Sequence, residues 1–386
     1  MASLKKNTGF SMIELLVVMA IFGFVIVGAS QMFVQVLRDY KQQSEITMSN
    51  IEGIVGLELM RRDVENAGYG LFWDWREGTA IAYNEVDPAD TVAGPLSDVT
   101  GTTFNPPRAL VIGDNTAWKG SDRLAVKAVN VTMSERTDKW TYFKSDNQPY
   151  LWNPPTENLL DTDLVVVISP EMVKDKLGSR DARILVPLTN GQFSATVANR
   201  SQFNARRQEF SFMFVVDPNV NNKPALKMPF NRADFYINSS PSLPANCAQG
   251  TGILYKAVVS QEGPGFNAPL PLLDCVADMQ VAVVSDDNSD GTAETIHQGA
   301  APDAMAAWDA KATRNIREVQ IYILAQEGMR DSTYDHPRPI ERVGAPPPPA
   351  ALTVGRDFDF AANGIPDWRR YRWKLYTLVL KPMNLK

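Results

Sequence analysis

The feature that most constrains how this chain folds is an uninterrupted apolar run close to its amino terminus. Residues 15–37 are 23 consecutive positions without a charged side chain. A helix rises about 1.5 Å per residue, so a helix over this run is roughly 35 Å long and can cross a bilayer. Lys5 and Lys6 precede the run, and basic residues favour the cytoplasmic side. The sequence therefore predicts one membrane-spanning helix, with the rest of the 386 residues on the far side.

A cleaved secretory signal and a plain membrane anchor are the simpler interpretations of this segment. The apolar run is longer than the roughly 7 to 15 residues typical of a signal, and no small-x-small cleavage site separates it from Arg38. A plain anchor leaves Glu14 unexplained, because a charge at the centre of a membrane helix costs about 2.5 to 3.5 kcal/mol and less near the interface. We therefore expect Glu14 to have a cationic partner.

Residues 9–15, with the sequence GFSMIEL, stand between the two lysines and the apolar run. This combination resembles the start of a type IV prepilin. The resemblance implies that a prepilin peptidase cuts between Gly9 and Phe10 and methylates the new amino terminus, which makes Glu14 the fifth residue of the mature chain. A methylated amine stays cationic, so Glu14 of one subunit can neutralise the Phe10 amine of a neighbour and remove the cost of burying either charge alone. Glu14 then sets the register of helix packing and is not a catalytic acid.

The helix is predicted to continue beyond the membrane, because apolar residues recur at helical spacing on one face that should pack on a sheet. We predict a leader over residues 1–9 and one helix over residues 10–68, of which residues 10–37 cross the membrane. Gly53 and Gly56 each lower helix propensity by about 1 kcal/mol relative to Ala, which predicts a bend or soft point between the two halves. The apolar face consists of Leu57, Met60, Val64 and Ala67.

The remaining chain, residues 69–386, is rich in β-prone runs separated by loops of Pro, Gly, Asn and Asp. One long helix followed by strands predicts an α+β fold in which an antiparallel β-sheet head packs on the helix. A head of this length exceeds one pilin sheet, and residues 131–237 are expected to form an inserted β lobe. The predicted strands are residues 108–112, 123–131, 163–168, 183–188, 209–216, 233–237, 253–259, 276–284, 316–324 and 371–381.

Four further segments resemble PilW-like minor pilins. They are residues 61–69 (RRDVENAGY), 120–126 (GSDRLAV), 276–291 (VADMQVAVVSDDNSDG) and 376–384 (YTLVLKPMN). The resemblance implies a structural subunit that waits in the inner membrane with its head in the periplasm and then enters an extracellular pilus. It also implies that the subunit primes assembly or occupies the tip. Its partners would be other minor pilins, the major pilin, a tip adhesin and the prepilin peptidase.

Cys247 and Cys275 are the two cysteines of the chain and are 28 positions apart. The predicted topology places both in an oxidising compartment, which favours a disulfide between them. Such a loop closure stabilises a fold by about 3 to 4 kcal/mol in the chain-entropy model. Two buried thiols and an intermolecular link are the alternatives.

An acidic loop carries Asp286, Asn288 and Asp290, followed by Gly291. This D-x-N-x-D-G spacing opens many calcium loops, in which alternate oxygens converge on one ion. The position that should hold a bidentate glutamate is His297, and Asp-Gly is equally suited to a hairpin turn. PilW-like proteins often carry a similar acidic loop, so calcium is the one cofactor that we consider.

Other classes of protein find little support. The formal net charge is −6, which disfavours nucleic acid as a partner. No nucleotide-binding, serine-hydrolase or zinc-protease motif occurs, so no catalytic residue is proposed and an enzyme is not expected. Aromatic residues beside the helix end, Trp73 and Trp75, favour packing over a sugar-binding patch.

Three rival functions remain open at this point. A minor pseudopilin of a type II secretion system shares the leader and the role of Glu14, whereas the larger head and the acidic loop favour the pilus. A DNA-uptake receptor pilin would need a basic surface, which the net charge of −6 disfavours. A membrane-anchored periplasmic hydrolase would need a polar cleft that no motif announces.

Overall fold

The computed structural model describes residues 11–75, 80–86, 93–143, 148–175, 178–204, 210–217, 226–239, 243–288, 290–292, 295–298, 312–345 and 354–385. The predicted leader over residues 1–9 and the cleavage position at Phe10 lie outside these residues. The described chain forms one long α-helix, short 3-10 helices and strands that pair in antiparallel fashion. This architecture confirms the predicted α+β class.

Helix α1 spans Met12–Glu65, 54 residues, and is about 80 Å long. Its first half projects from the head, and residues 11–40 are all exposed. One face of its second half is buried against the head, and this face carries the predicted apolar residues. The helix runs through Gly53 and Gly56 without interruption, and the bend or soft point predicted there stays a prediction. The buried positions are Leu57, Met60, Val64 and, just past the helix end, Ala67.

The two glycines let α1 approach the sheet closely. A Cβ atom on Gly56 would overlap the main-chain carbonyl of Leu272, and one on Gly53 would lie 3.2 Å from Leu273 Cδ1. Only a residue without a side chain permits this backbone-to-backbone contact. The glycines are therefore packing residues.

The strands divide into a larger and a smaller sheet and two two-stranded ribbons. The strand bounds are β1 Val99–Thr100, β2 Thr103–Phe104, β3 Leu110–Gly113, β4 Arg123–Ala128, β5 Trp140–Phe143, β6 Leu164–Asp175, β7 Gly178–Leu185, β8 Ala195–Thr196, β9 Ser211–Asp217, β10 Asn231–Asn238, β11 Gly252–Val258, β12 Leu270–Ser285, β13 Thr295–His297, β14 Ile316–Glu327, β15 Ile340–Val343, β16 Arg356–Asp359 and β17 Arg372–Leu380.

The first sheet has eight strands. Seven follow the order β17-β14-β12-β11-β10-β4-β3, and β13 also pairs with β12. The second sheet has the order β5-β9-β6-β7, and β8 also pairs with β6. The ribbons are β1-β2 and β15-β16.

The second sheet is built from the chain between β4 and β10, which are hydrogen-bonded neighbours in the first sheet. This segment, residues 129–230, is called the inserted lobe below. The predicted range of residues 131–237 overlaps it, but its last residues belong to β10 because they pair with β4 and β11.

One hydrophobic core joins α1, the inner face of the first sheet and one face of the second sheet. Met60 and Val64 of α1 share this core with Val281 of β12 and with Val166 and Ile168 of β6. A separate apolar cluster covers the outer face of the first sheet near its carboxyl-terminal strands. Its larger members are Tyr322, Phe358, Phe360, Trp368 and Tyr371.

The close approach at Gly56 predicts a large effect for one added methyl group. Gly56→Ala raises helix propensity but forces α1 away from β12, so we expect a net loss of about 1 to 3 kcal/mol of unfolding free energy. Gly28→Ala makes the same change where a Cβ atom meets nothing within 4 Å, and it should leave the stability of the head unchanged. Thermal unfolding of both variants in a mild detergent measures this difference, and equal melting temperatures would contradict the packing role.

Candidate functional site

The start of α1 is shaped by Ser11 and Glu14. The Ser11 amide donates to Glu14 Oε2 at 3.0 Å, and the Glu14 amide donates to Ser11 Oγ at 3.3 Å. This reciprocal capping box satisfies two amides that the helix itself leaves without acceptors. The carboxylate is exposed at the amino-terminal end of the helix dipole, where a negative charge is stabilised.

Glu14 keeps the capacity to accept further hydrogen bonds. An ionised carboxylate has about four lone-pair sites, and the capping box uses one of them. The expected partner, the amine of Phe10, and the cleavage residue Gly9 lie outside the described residues. Pairing between subunits therefore stays a prediction, and the described geometry leaves room for it.

The apolar half of α1 is an exposed surface. Within the described residues, the segment Met12–Ser44 is one stretch that is long and apolar enough to cross a membrane by length and composition. Large side chains project from it on every side, with Ile13 74% and Phe24 80% exposed. A surface of this size needs lipid or other apolar helices around it.

The lower half of α1 is fixed to the head by a buried ion pair. Asp63 Oδ2 lies 2.5 Å from Lys256 Nζ of β11, and both side chains are almost fully buried. Burial raises the pKa of Asp63 to about 6, although the Lys256 charge partly opposes this rise. The apolar face predicted from the sequence did not include Asp63. It lies three positions after Met60, and this i,i+3 spacing is the signal that was available for its burial.

The inserted lobe contacts the end of α1 through a second group of polar bonds. Arg62 pairs with Asp138 at 2.6 Å, and the Tyr69 hydroxyl donates to the Asp138 carbonyl at 3.2 Å. Gly68, at φ +83°, donates its amide to the Lys127 carbonyl of β4 at 3.0 Å. The RRDVENAGY segment is thus the junction of the helix and both sheets.

A buried network of charges lies on the face of the first sheet opposite α1. Lys127 Nζ and Arg232 Nη1 lie 2.7 and 2.8 Å from Glu85 Oε1, and all three side chains are fully buried. Burial alone raises the pKa of Glu85, but the two cations outweigh it and lower this pKa to about 2. The network also includes Asp98, Arg108, Arg123 and Asp234.

This network holds separate chain segments together. Lys127 also pairs with Asp98, whose Oδ1 lies 2.5 Å from Arg108 Nε. The segments around Glu85 and Asp98 are thereby tied across the outer face of β4 and β10. The sequence does not indicate this network. Charged residues that alternate with apolar ones in a strand ordinarily face water, and here they are buried.

The acidic loop connects β12 to β13, and its side chains bond within the loop. Asp286 is buried, its Oδ1 accepts from the Asp290 amide at 3.1 Å, and its Oδ2 accepts from Gly291 at 3.0 Å and from Arg317 at 3.1 Å. Asp290 accepts from the Thr292 amide at 2.7 Å. Asn288 donates to Asp290 at 3.1 Å.

The best-buried carboxylate of the loop, Asp286, already has a guanidinium and two amides around its oxygens. Among the described residues, which exclude Ser289 and residues 293–294, no three acidic, His or Cys side chains converge on a point that can hold a metal. Calcium binding therefore stays a hypothesis that needs the loop to rearrange.

Cys247 and Cys275 form the disulfide, with their Cα atoms 5.0 Å apart. The bond joins the loop before β11 to the middle of β12, and both cysteines are buried. It therefore fixes the strand that α1 contacts at Leu272. Cys275 has φ +54° and lies where the pairing register between β11 and β12 shifts.

The two tryptophans beyond the helix end take part in packing. Trp73 lies between the guanidinium groups of Arg183 and Arg314, at 4.2 and 4.6 Å from its ring centre. Trp75 donates its indole N–H to the Phe104 carbonyl at 3.0 Å. These contacts favour the packing interpretation over a sugar-binding patch.

Comparison with known proteins finds one family match, which is confined to the amino terminus. Residues 4–30 match the family described as the prokaryotic N-terminal methylation motif. No curated protein sequence matches the chain. Among solved structures, a type IV-like pilin from Thermus thermophilus is 14% identical over 40% of this chain and 66% of its own length, with a TM-score of 0.23. That structural likeness is too low to carry an argument, whereas the motif supports a pilin-type amino terminus.

The ion pair between Asp63 and Lys256 predicts a pH-dependent effect of mutation. Lys256→Met leaves a buried carboxylate without its cation, and we expect a loss of about 3 to 5 kcal/mol at pH 7. The pKa of Asp63 is raised in the folded state, so its ionised form opposes folding as pH rises above about 4, and protonation below pH 6 relieves the cost. Denaturant unfolding of Lys256→Met should therefore show a smaller loss at pH 5 than at pH 7.

Two matched variants control this experiment. Asp63→Leu removes the carboxylate, so its loss should not shrink in the same way at low pH. The double variant Asp63→Leu/Lys256→Met should be more stable than the worse single variant, because replacing both charges leaves neither one unpaired. Additive losses in the double variant would show that the two residues do not act as a pair.

Calcium provides a direct test of the acidic loop. Since Asp286 is already bonded by Arg317, we expect millimolar calcium to leave the melting temperature of the full chain unchanged relative to a chelator control. A calcium-dependent rise that Asp290→Asn abolishes would show that the loop rearranges to bind the ion.

Proposed function

We propose that this protein is a minor pilin of a type IV pilus, PilW-like, which primes assembly or occupies the tip as a structural subunit. One observation carries the proposal. The helix that begins with the methylation motif is apolar and exposed on all sides from Met12 to Leu37, with the carboxylate of Glu14 at its start. A soluble monomer cannot keep such a surface in water, so the helix is built to change partners between lipid and other helices.

Assembly then follows from packing and charge pairing. In the inner membrane the apolar half of α1 contacts lipid, and in the filament it contacts the same halves of neighbouring pilins. The processed amine of Phe10 and the carboxylate of Glu14 both lose water in this bundle. Each charge is costly alone, so neutralisation between subunits fixes how far one helix slides along the next.

The head moves with the helix because the contact between them is rigid. Gly56 brings α1 against the backbone of β12, and Asp63 pairs with Lys256 of β11 inside the core. Once α1 takes its place in the bundle, the orientation of both sheets is therefore set. The helix packing decides where the head surfaces meet other minor pilins and the major pilin.

The inserted lobe supports a role as a minor subunit at the tip. It adds a second sheet to the side of the head, and a shaft subunit would have to accommodate this volume at every repeat. At a tip the lobe is free to meet another protein, such as an adhesin. A structural role also fits the buried charges, because they tie chain segments together.

Glu14→Ala tests the assembly mechanism. We expect the variant to be cut between Gly9 and Phe10 and inserted in the membrane, but to be absent from purified pili, because the Phe10 amine of its neighbour loses its counter-charge. Intact-mass measurement of the membrane-extracted chain reads the cleavage and methylation, and quantitative immunoblots of sheared pili read incorporation.

Glu58→Ala is the matched control, since it removes a carboxylate that is 65% exposed on the same helix. It should enter pili like the unmodified chain. The proposal fails if Glu14→Ala is incorporated normally or if the chain from cells still begins with its basic leader.

The nearest alternative is a minor pseudopilin of a type II secretion system, since the methylation motif and the apolar helix suit both machines. A deletion strain separates them. Loss of pili with normal protein secretion supports the pilus, and the reverse phenotype favours the pseudopilin.

A further inference from the structure

A cavity with mixed apolar and basic walls lies where α1 leaves its membrane-spanning half. It has a volume of about 560 Å³ and opens between α1 and the segment after β14, residues 329–332. Val34 and Leu37 of α1 and Met329 of the head form its apolar wall. Its polar lining consists of Arg38, Lys41, Gln42, Arg330, Asp331 and Ser332.

The acidic side chain in this lining is already neutralised. Asp331 accepts from Gln42 Nε2 at 2.8 Å and pairs with Arg372 at 3.1 Å. Arg330 pairs in turn with Asp367 at 2.9 Å. These bonds tie the head to α1 at this level.

Arg38 and Lys41 have no acidic partner within the described part of the chain. They are three positions apart and share one side of α1, whereas Asp39 is rotated by about 100° from Arg38 on the helix. They are also the cations that follow the membrane span on its far side, although basic residues ordinarily favour the cytoplasmic side. Two unpaired cations in this unfavoured position call for an anion at the same depth.

The depth of the cavity identifies that anion. The uncharged run ends at Leu37, so Arg38 begins the part of α1 that lies among lipid headgroups when the helix spans a bilayer. Phosphate oxygens are good acceptors for both guanidinium and ammonium groups. The apolar wall of Val34, Leu37 and Met329 continues from the cations toward the membrane interior, where acyl chains lie.

We infer that this cavity binds the headgroup of an anionic phospholipid, with the phosphate on Arg38 and Lys41 and an acyl chain along the apolar wall. The inference rests on the proposed membrane topology of the pilin. It adds a consequence for assembly: entry of α1 into a filament must strip this lipid from the cavity. The bound lipid therefore holds the unassembled subunit in the membrane at a fixed height.

Native mass spectrometry of the full chain in a neutral detergent tests this inference. The probes are dioleoylphosphatidylglycerol and dioleoylphosphatidylcholine, which have the same acyl chains and differ in net charge. We expect the chain to retain the anionic lipid preferentially. Arg38→Gln/Lys41→Gln should weaken that retention by about thirtyfold, since each cation contributes about one factor of five to six near anionic lipid.

The matched control is Arg61→Gln/Lys381→Gln, which removes two exposed positive charges that do not line the cavity and should retain the anionic lipid. Equal retention of both lipids, an equal loss in the control, or displacement by millimolar inorganic phosphate would overturn the inference. It also fails if the Arg38/Lys41 variant keeps its lipid but loses association with copurifying pilins, because the cavity would then dock protein. The same spectra give the mass of the chain, so absence of leader cleavage is seen independently of lipid binding.

Discussion

The contact between α1 and the first sheet is the constraint on which the rest of the structure depends. Half of the helix is exposed along its length, so the head must hold the other half firmly enough to orient it. Gly56 removes the side chain that would separate helix from strand, Asp63 adds a charge pair inside the core, and Gln42 bonds Asp331 nearer the membrane. These contacts are spread along α1, and together they resist both sliding and rotation of the helix.

The buried charges of this head determine how its segments are arranged more than they increase its free energy of unfolding. Moving an ion pair from water into a core costs several kcal/mol, and the attraction within the pair roughly repays that cost. What the pair provides is a penalty for every alternative arrangement that leaves one charge alone. Asp63 with Lys256 fixes the helix, and Glu85 with Lys127 and Arg232 fixes a segment that has little regular structure of its own.

Sequence periodicity predicts the elements of this fold well and their long-range polar contacts poorly. The apolar run, the helical spacing of Met60 and Val64 and the β-prone runs are local patterns, and the helix and the longer strands follow them. Glu85 and Arg232 are 147 positions apart, and nothing local in either segment indicates that they meet. The acidic loop after β12 shows the converse. Its spacing is typical of a calcium loop, but Arg317 of β14 bonds the Asp286 carboxylate that the motif would offer to an ion.

The position of the inserted lobe has a consequence for how such chains diversify. Because β4 and β10 are adjacent and antiparallel, two residues suffice in principle to connect them, and everything between is an expanded hairpin loop. The entropic cost of closing a loop grows only with the logarithm of its length, so a large module can be accepted there without loosening the sheet. A chain of this fold can therefore accept a different module at this point while α1 and its contact with the first sheet stay unchanged.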